Sequence, residues 1–161
     1  MATESKSMLH EVTLTAARNL SPIFDEAVRA RRPVMIVRGH KERGLLVAED
    51  SVRRMLAVYA LHVDVIPEET GRFTLWLREL NLTGGGASLR EAREDLVSAV
   101  RSYLNHYRQE SEWYRHVPEK VAQEPYVLML SLARDDDDIS RMLFGDQVAG
   151  QRRSPRERAS A

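Results

Sequence analysis

Val34-Met35-Ile36-Val37-Arg38-Gly39-His40-Lys41-Glu42-Arg43-Gly44-Leu45-Leu46-Val47-Ala48 decides the reading of the first half of the chain. Residues 34–37 are a short, largely β-branched run, residues 39–42 carry turn chemistry, and residues 44–48 are a second apolar run. Two such runs about a glycine-containing turn predict an antiparallel hairpin. Upstream, residues 11–14 alternate and predict a short strand. Thr15 is a candidate cap for a helix with Ala17, Leu20, Phe24, Ala27 and Val28 on one face, ended by Arg32-Pro33. Pro22 interrupts that helix; Ser21-Pro22 reads equally as a cap and first helical position, so the helix kinks or restarts there. Downstream, Asp50 or Ser51 caps another helix. Its apolar face is Val52, Met55, Leu56, Tyr59 and Val63, and Pro67 stops it. Residues 11–65 thus read β-α-β-β-α.

Residues 66–71 (Ile-Pro-Glu-Glu-Thr-Gly) read as a boundary, and residues 73–77 alternate as a strand. Gly84-Gly85-Gly86 reads as a loop; no Lys-Ser or Lys-Thr follows, so it is not a phosphate-binding loop. Ser88-Leu89-Arg90-Glu91 has capping-box form and opens a helix to about Ser111, with Leu89, Ala92, Leu96, Val100, Tyr103, Leu104 and Tyr107 on one face. Residues 126–133 are apolar except Ser131. Their length does not decide strand against helix, but Pro125 at a first helical position and the Leu, Met and Ala content favour a helix. Asp138 is the expected cap of a last short helix, 139–144, ended by Gly145. The expected division is residues 1–66, residues 67–146, and a disordered basic tail, residues 147–161.

The 161 residues suffice for one ordinary domain or two small ones. With 24 basic and 24 acidic side chains and 43% hydrophobic residues, the chain is neither a uniformly basic nucleic-acid binder nor an acidic unfolded polymer. No apolar run approaches the roughly 18–20 residues that cross a bilayer. The start, Met-Ala-Thr-Glu-Ser-Lys-Ser, lacks a secretory core, and the cytoplasm is the expected location. The absence of cysteine excludes disulfides, thiolate zinc sites and a cysteine nucleophile. The neutral total hides an asymmetry. Residues 1–65 hold ten basic and eight acidic groups, residues 66–146 ten and fifteen, and residues 147–161 four and one. A basic patch spans Arg29 to Arg43, and the acidic stretch that follows suggests a second task.

The Ala-Ala-Arg-x-Leu-Ser box at residues 16–21 is followed by Ile23-Phe24-Asp25-Glu26-Ala27-Val28. The strand residues 34–38 and the run Gly44-Leu45-Leu46-Val47-Ala48-Glu49-Asp50 complete the pattern. Over residues 10–60 this resembles the N-terminal domain of the prevent-host-death (Phd/YefM-like) antitoxins. Arg38-Gly39-His40-Lys41 looks like that family's Arg-His-Gly-Lys turn with glycine and histidine exchanged. Gly-Leu-Leu replaces its usual Ala-Val-Leu, and Pro22 departs from its commonest pattern. The resemblance implies a homodimer that binds palindromic operator DNA, with Arg18 and Arg38 on the DNA. Asn19 beside the first, and His40, Lys41 and Arg43 about the turn, complete the expected contact set. Guanidinium groups suit phosphates and guanine edges, and a two-fold dimer would double each contact. The alternative is a set of solvated surface charges.

Trp76-Leu77-Arg78-Glu79-Leu80 and Pro125-Tyr126-Val127-Leu128 resemble segments of longer Phd-like antitoxins with a folded toxin-neutralising half. The partner this implies is a RelE-like ribonuclease, whose basic surface would suit the acidic second half. The expected fold class is α+β: a β-α-β-β-α dimerisation domain, then a small α/β or mostly helical region. Expected partner contacts are Trp113 and Tyr114, which read equally as core, and Asp135, Asp136 and Asp137. The acidic run 135–138 lacks the glycine and distal glutamate of a calcium loop and reads foremost as a solvated linker and cap. The histidines (10, 40, 62, 106 and 116) show no metal-ligand spacing. No catalytic constellation stands out and no cofactor is called for, so the expected function is a non-enzymatic antitoxin that binds its toxin and represses its operon. The rival readings are a DNA-binding regulator without a toxin, its second half serving oligomerisation or ligand sensing, and a small hydrolase built on residues 135–138.

Overall fold

The computed structural model describes residues 10–13, 20–39 and 42–145, the first stretch by its backbone alone. The chain divides between Val58 and Tyr59 into two compact units within an α+β fold.

In the first unit, β1 (His10–Thr13) runs parallel to β2 (Val34–Arg38), and β2 pairs antiparallel with β3 (Glu42–Leu46). α1 (Leu20–Phe24) passes directly into a π-helical turn, Asp25–Arg29. Pro22 is the third residue of α1, in the first turn, where its missing N–H costs no helical hydrogen bond. Arg31, at φ +54°, breaks the helical path two residues before Pro33. Ile23, Ala27 and Val34 form the buried core, with Val28 and Leu46 against it. Cross-strand partners share a face. Val34, Ile36, Arg38, Glu42 and Leu46 therefore lie on the face toward that core, and Met35, Val37, Arg43 and Leu45 on the other.

α2 (Glu49–Leu56) starts before the expected caps Asp50 and Ser51, from Ala48, which offers no side-chain cap. It also ends early. The helix expected to reach Val63 stops at Leu56, because Val63-Asp64-Val65-Ile66 alternates and pairs in β4 (Val63–Pro67). The helical spacing of Tyr59 and Val63 is overridden by long-range pairing.

β4 belongs to the second unit, where β4, β5 (Phe73–Leu77) and β6 (Leu82–Gly86) form an antiparallel meander. The stretch 66–71 is not a boundary: Ile66 and Pro67 end β4, and residues 68–72 form the turn into β5, closed by the Glu68 N–H to the Arg72 carbonyl, 2.9 Å. The expected loop 84–86 is instead strand. α3 (Leu89–Gln109) lies so close on β6 that a Cβ at Gly84 would fall 2.3 Å from the Leu96 nitrogen. One at Gly86 would fall 2.5 Å from the Ala92 nitrogen. The glycines serve backbone approach, not turn flexibility. The Ser88 hydroxyl accepts the Glu91 N–H (3.2 Å), and the Glu91 carboxylate accepts the Ala87 N–H (2.9 Å). The capping box therefore closes one residue earlier than the usual reciprocal pattern.

Leu75, Leu77, Leu96, Val100 and Leu130 are fully buried at the centre of this unit. α4 (Ser111–Tyr114), α5 (Pro118–Ser131) and α6 (Asp136–Phe144) complete it. Residues 126–131 are helical, but the helix starts from Pro118 in its first turn, leaving Pro125 inside. The last helix is capped by Asp135 rather than Asp138; its Oδ1 accepts the Asp138 N–H at 2.8 Å. No described helix is long and apolar enough to cross a membrane. Thr15 and the basic tail lie outside the described residues.

Candidate functional site

Arg18, Asn19, His40 and Lys41 lie outside the described residues. Arg38 and Arg43 stand at the tip of the β2–β3 hairpin. Arg38 pairs across the strands with Glu42, and Arg43 with Val37, so the two guanidinium groups leave opposite faces of the ribbon. Arg38 is 66% exposed and ion-paired with the Glu42 carboxylate. An exposed pair of this kind contributes less than about 1 kcal/mol, so another anion readily exchanges for Glu42. Behind the tip, Leu45 is half exposed on the face away from the core, opposite Met35.

In the second unit, the C-terminal half of α3, α5 and the turn into α6 surround an open groove of about 920 Å³. Leu104, Val127 and Leu128 give it an apolar wall, and Leu128 is 46% exposed. Arg101, Arg108, Glu124 and Asp135, Asp136 and Asp137 line its polar part. The structure thus gathers three of the expected partner-contact residues at one opening. Asp136 accepts a 2.5 Å hydrogen bond from Arg101, and Asp135 caps α6.

Asp138, the fourth of the run, is buried. Its carboxylate accepts from the Arg134 Nε (2.7 Å), the Arg134 backbone N–H (3.1 Å) and the Arg141 guanidinium. The Arg134 guanidinium, then the Arg134 N–H and Arg141, hold this carboxyl far below the usual carboxylate range. A depressed folded-state pKa stabilises the fold above the unfolded value near pH 4, and that stabilisation fades as pH falls further. Asp138→Asn is therefore expected to lower the thermal midpoint at pH 7, with the gap to the parent protein only beginning to narrow below about pH 4 and still clear at about pH 3, because the folded-state carboxyl stays ionised there. Thermal unfolding followed by circular dichroism checks this, and equal midpoints at pH 7 count against it.

Trp113 and Tyr114 separate. Tyr114 is buried, its ring 5.0 Å from Tyr107 and 5.9 Å from His106. The Lys120 ammonium sits over the rings of Tyr103 (4.8 Å) and Tyr114 (5.2 Å) and donates to the Tyr103 hydroxyl at 2.9 Å. Tyr107 joins this cluster to the groove wall, and its burial pushes the phenol pKa up, with Glu124 adding to the effect. Tyr114 thus holds α4 in place, whereas Trp113 remains 61% exposed, outside the groove lining. Arg101 and Glu124 escaped the sequence reading, and Leu104 and Leu128 entered it only as a helix-face residue and as part of the segment 125–128. Arg101 and Asp136 are 35 positions apart, and only the fold brings them together.

The sequence pattern of the PHD-like family, described as the antitoxin of RelE/RelB toxin–antitoxin systems, matches residues 8–145. No curated protein matches the chain. The fold resembles a crystal structure from Syntrophomonas wolfei subsp. wolfei, described as the antitoxin part of a proposed toxin/antitoxin system. The TM-score is 0.70 at 21% identity, over 83% of this chain and 96% of that one. With the family pattern spanning most of its length, the chain belongs to the PHD-like family and is an antitoxin of a toxin–antitoxin system.

Proposed function

We propose that the two units divide the antitoxin's work. The second binds the toxin directly, a RelE-like ribonuclease, in the groove between α3, α5 and α6, and blocks it by occlusion, without catalysis or cofactor. The observation that carries this reading is the groove itself, an open apolar wall edged by Asp135, Asp136 and Asp137. It lies in the acidic half of the chain, which suits a basic partner. Co-purification with the product of the adjacent gene tests it. A stable complex supports the assignment, and its absence counts against neutralisation by direct binding.

The first unit is Phd/YefM-like in this proposal. It dimerises, binds operator DNA in the cytoplasm and represses its own operon. The described order of strands and helices supports this, as do the exposed Leu20, Phe24, Leu45 and Met55, which offer apolar surface to a second copy. Arg18 and Arg38 contact the operator, with Asn19, His40, Lys41 and Arg43 on the flanking backbone. Arg38→Ala is expected to weaken operator binding at least about tenfold, since a good guanidinium contact is worth roughly 1–3 kcal/mol and a dimer makes it twice. Arg43→Ala, if that residue meets only phosphate, lowers the salt dependence instead. Gel shifts at two salt concentrations measure both, and unchanged affinity for Arg38→Ala removes it from the DNA contact.

A further inference from the structure

The two edges of the second unit's sheet are finished differently. In an antiparallel ladder, a residue's N–H and C=O point to the same side, and the side alternates along the strand. The Arg78 N–H donates to the His62 carbonyl (3.1 Å), and the Glu68 N–H donates to the Arg72 carbonyl (2.9 Å). Even-numbered residues of β4 therefore turn their main-chain groups toward β5, and Val63, Val65 and Pro67 turn theirs outward. By the same alternation, β6 turns Thr83 and Gly85 outward. There, α3 closes the edge: Asp95 accepts the Gly85 N–H at 2.8 Å, and Glu91 accepts the Ala87 N–H at 2.9 Å. Among the described residues, nothing comparable covers β4. Val65 and Ile66 are 52% and 45% exposed, so an apolar edge with open donors and acceptors remains. Such edges are templates for another strand.

We propose that β4 pairs antiparallel with β4 of a second copy of this chain, about a two-fold axis at Val65. The pattern is self-complementary. Val65 exchanges both hydrogen bonds with its counterpart, and each Val63 N–H meets the other copy's Pro67 carbonyl. Pro67 has no N–H to leave unpaired at its outward position, and the same lack stops the pairing there. The charges fit this register. Asp64, bound to Arg78 at 2.5 and 2.6 Å, faces the second copy's Ile66. Glu68 faces the second copy's His62, and no like charges oppose one another. The result is a continuous sheet through two second units, independent of any dimer made by the first units.

The chain has no cysteine, so a single introduced thiol reports on the pairing. Directly opposed hydrogen-bonded residues have Cα atoms about 5.5 Å apart, within disulfide reach. Full-length Val65→Cys is expected to form a covalent dimer under mild oxidation. Thr83→Cys, exposed on the closed β6 edge, is the control. At ~10 μM chain, the first should cross-link roughly a hundredfold faster, because neighbours held in a pair have effective concentrations in the millimolar range. Circular dichroism confirms that both variants fold. A dimer through the first units raises the local concentration of both thiols alike and leaves their ratio as the readout. Equal rates overturn the proposal. Val65→Cys that links only to the co-expressed toxin overturns it as well, in favour of a partner strand.

Discussion

Gly84→Ala is expected to cost the second unit more than about 3 kcal/mol, beyond the usual range for overpacking, because the obstruction is main chain. The added methyl group would sit 2.3 Å from the Leu96 nitrogen, 2.6 Å from its Cα and 2.7 Å from the Ala92 carbonyl oxygen. None of these atoms can rotate away, so α3 must lift off β6. Lifting it withdraws Leu96 and Val100 from Leu75 and Leu77, all of them fully buried. Gly85 provides the control one residue along. Its added methyl would meet only the Phe73 carbonyl oxygen, at an ordinary 3.8 Å. Gly85→Ala is therefore expected to be neutral or to stabilise by up to about 1 kcal/mol, because glycine in a strand interior carries an entropic penalty. Urea unfolding of the full-length variants, followed by circular dichroism, measures both. If Gly84→Ala lies within about 1 kcal/mol of Gly85→Ala, helix–strand contact does not hold this unit together.

Glycine is also where the sequence was least legible. Three in a row carry turn chemistry, and nothing local distinguishes a flexible turn from a strand pressed against a helix backbone. The β2–β3 hairpin, β5 and α3 could be read because apolar alternation, a turn residue and a Ser-x-x-Glu cap are local signals. β4 failed for the opposite reason. Val52, Met55, Leu56, Tyr59 and Val63 match a helical stripe, and only pairing with β5 reveals the alternation of Val63 to Ile66 as the true period. The candidate site divides along the same line. The basic residues around the turn were legible as a cluster, but not that Arg38 and Arg43 leave opposite faces. The acidic run was visible, but not that Asp138 is buried between Arg134 and Arg141 while Asp135 caps the helix.

A fragment ending at Val58 is expected to keep operator binding and to lose all protection against the toxin. The first unit has a core of its own in Ile23, Ala27 and Val34, and the hairpin tip with Arg38 and Arg43 lies within it. The groove and its acidic residues lie wholly beyond Val58. The cut has to fall there and not at residue 66. A fragment of residues 1–66 would carry β4 without β5, exposing Val63, Val65 and Ile66 on an unpaired strand and inviting aggregation. In cells producing the toxin, the full chain should restore growth and the 58-residue fragment should leave it at the level of toxin alone. Gel shifts on the purified fragment should give operator affinity within about tenfold of the full chain, a difference of roughly 1.4 kcal/mol. Protection by the fragment would place toxin binding in the first unit and leave the groove without its proposed role. A folded fragment that no longer binds the operator would instead mean that DNA recognition needs the second unit, as it would if β4 pairing brought two DNA-binding units together.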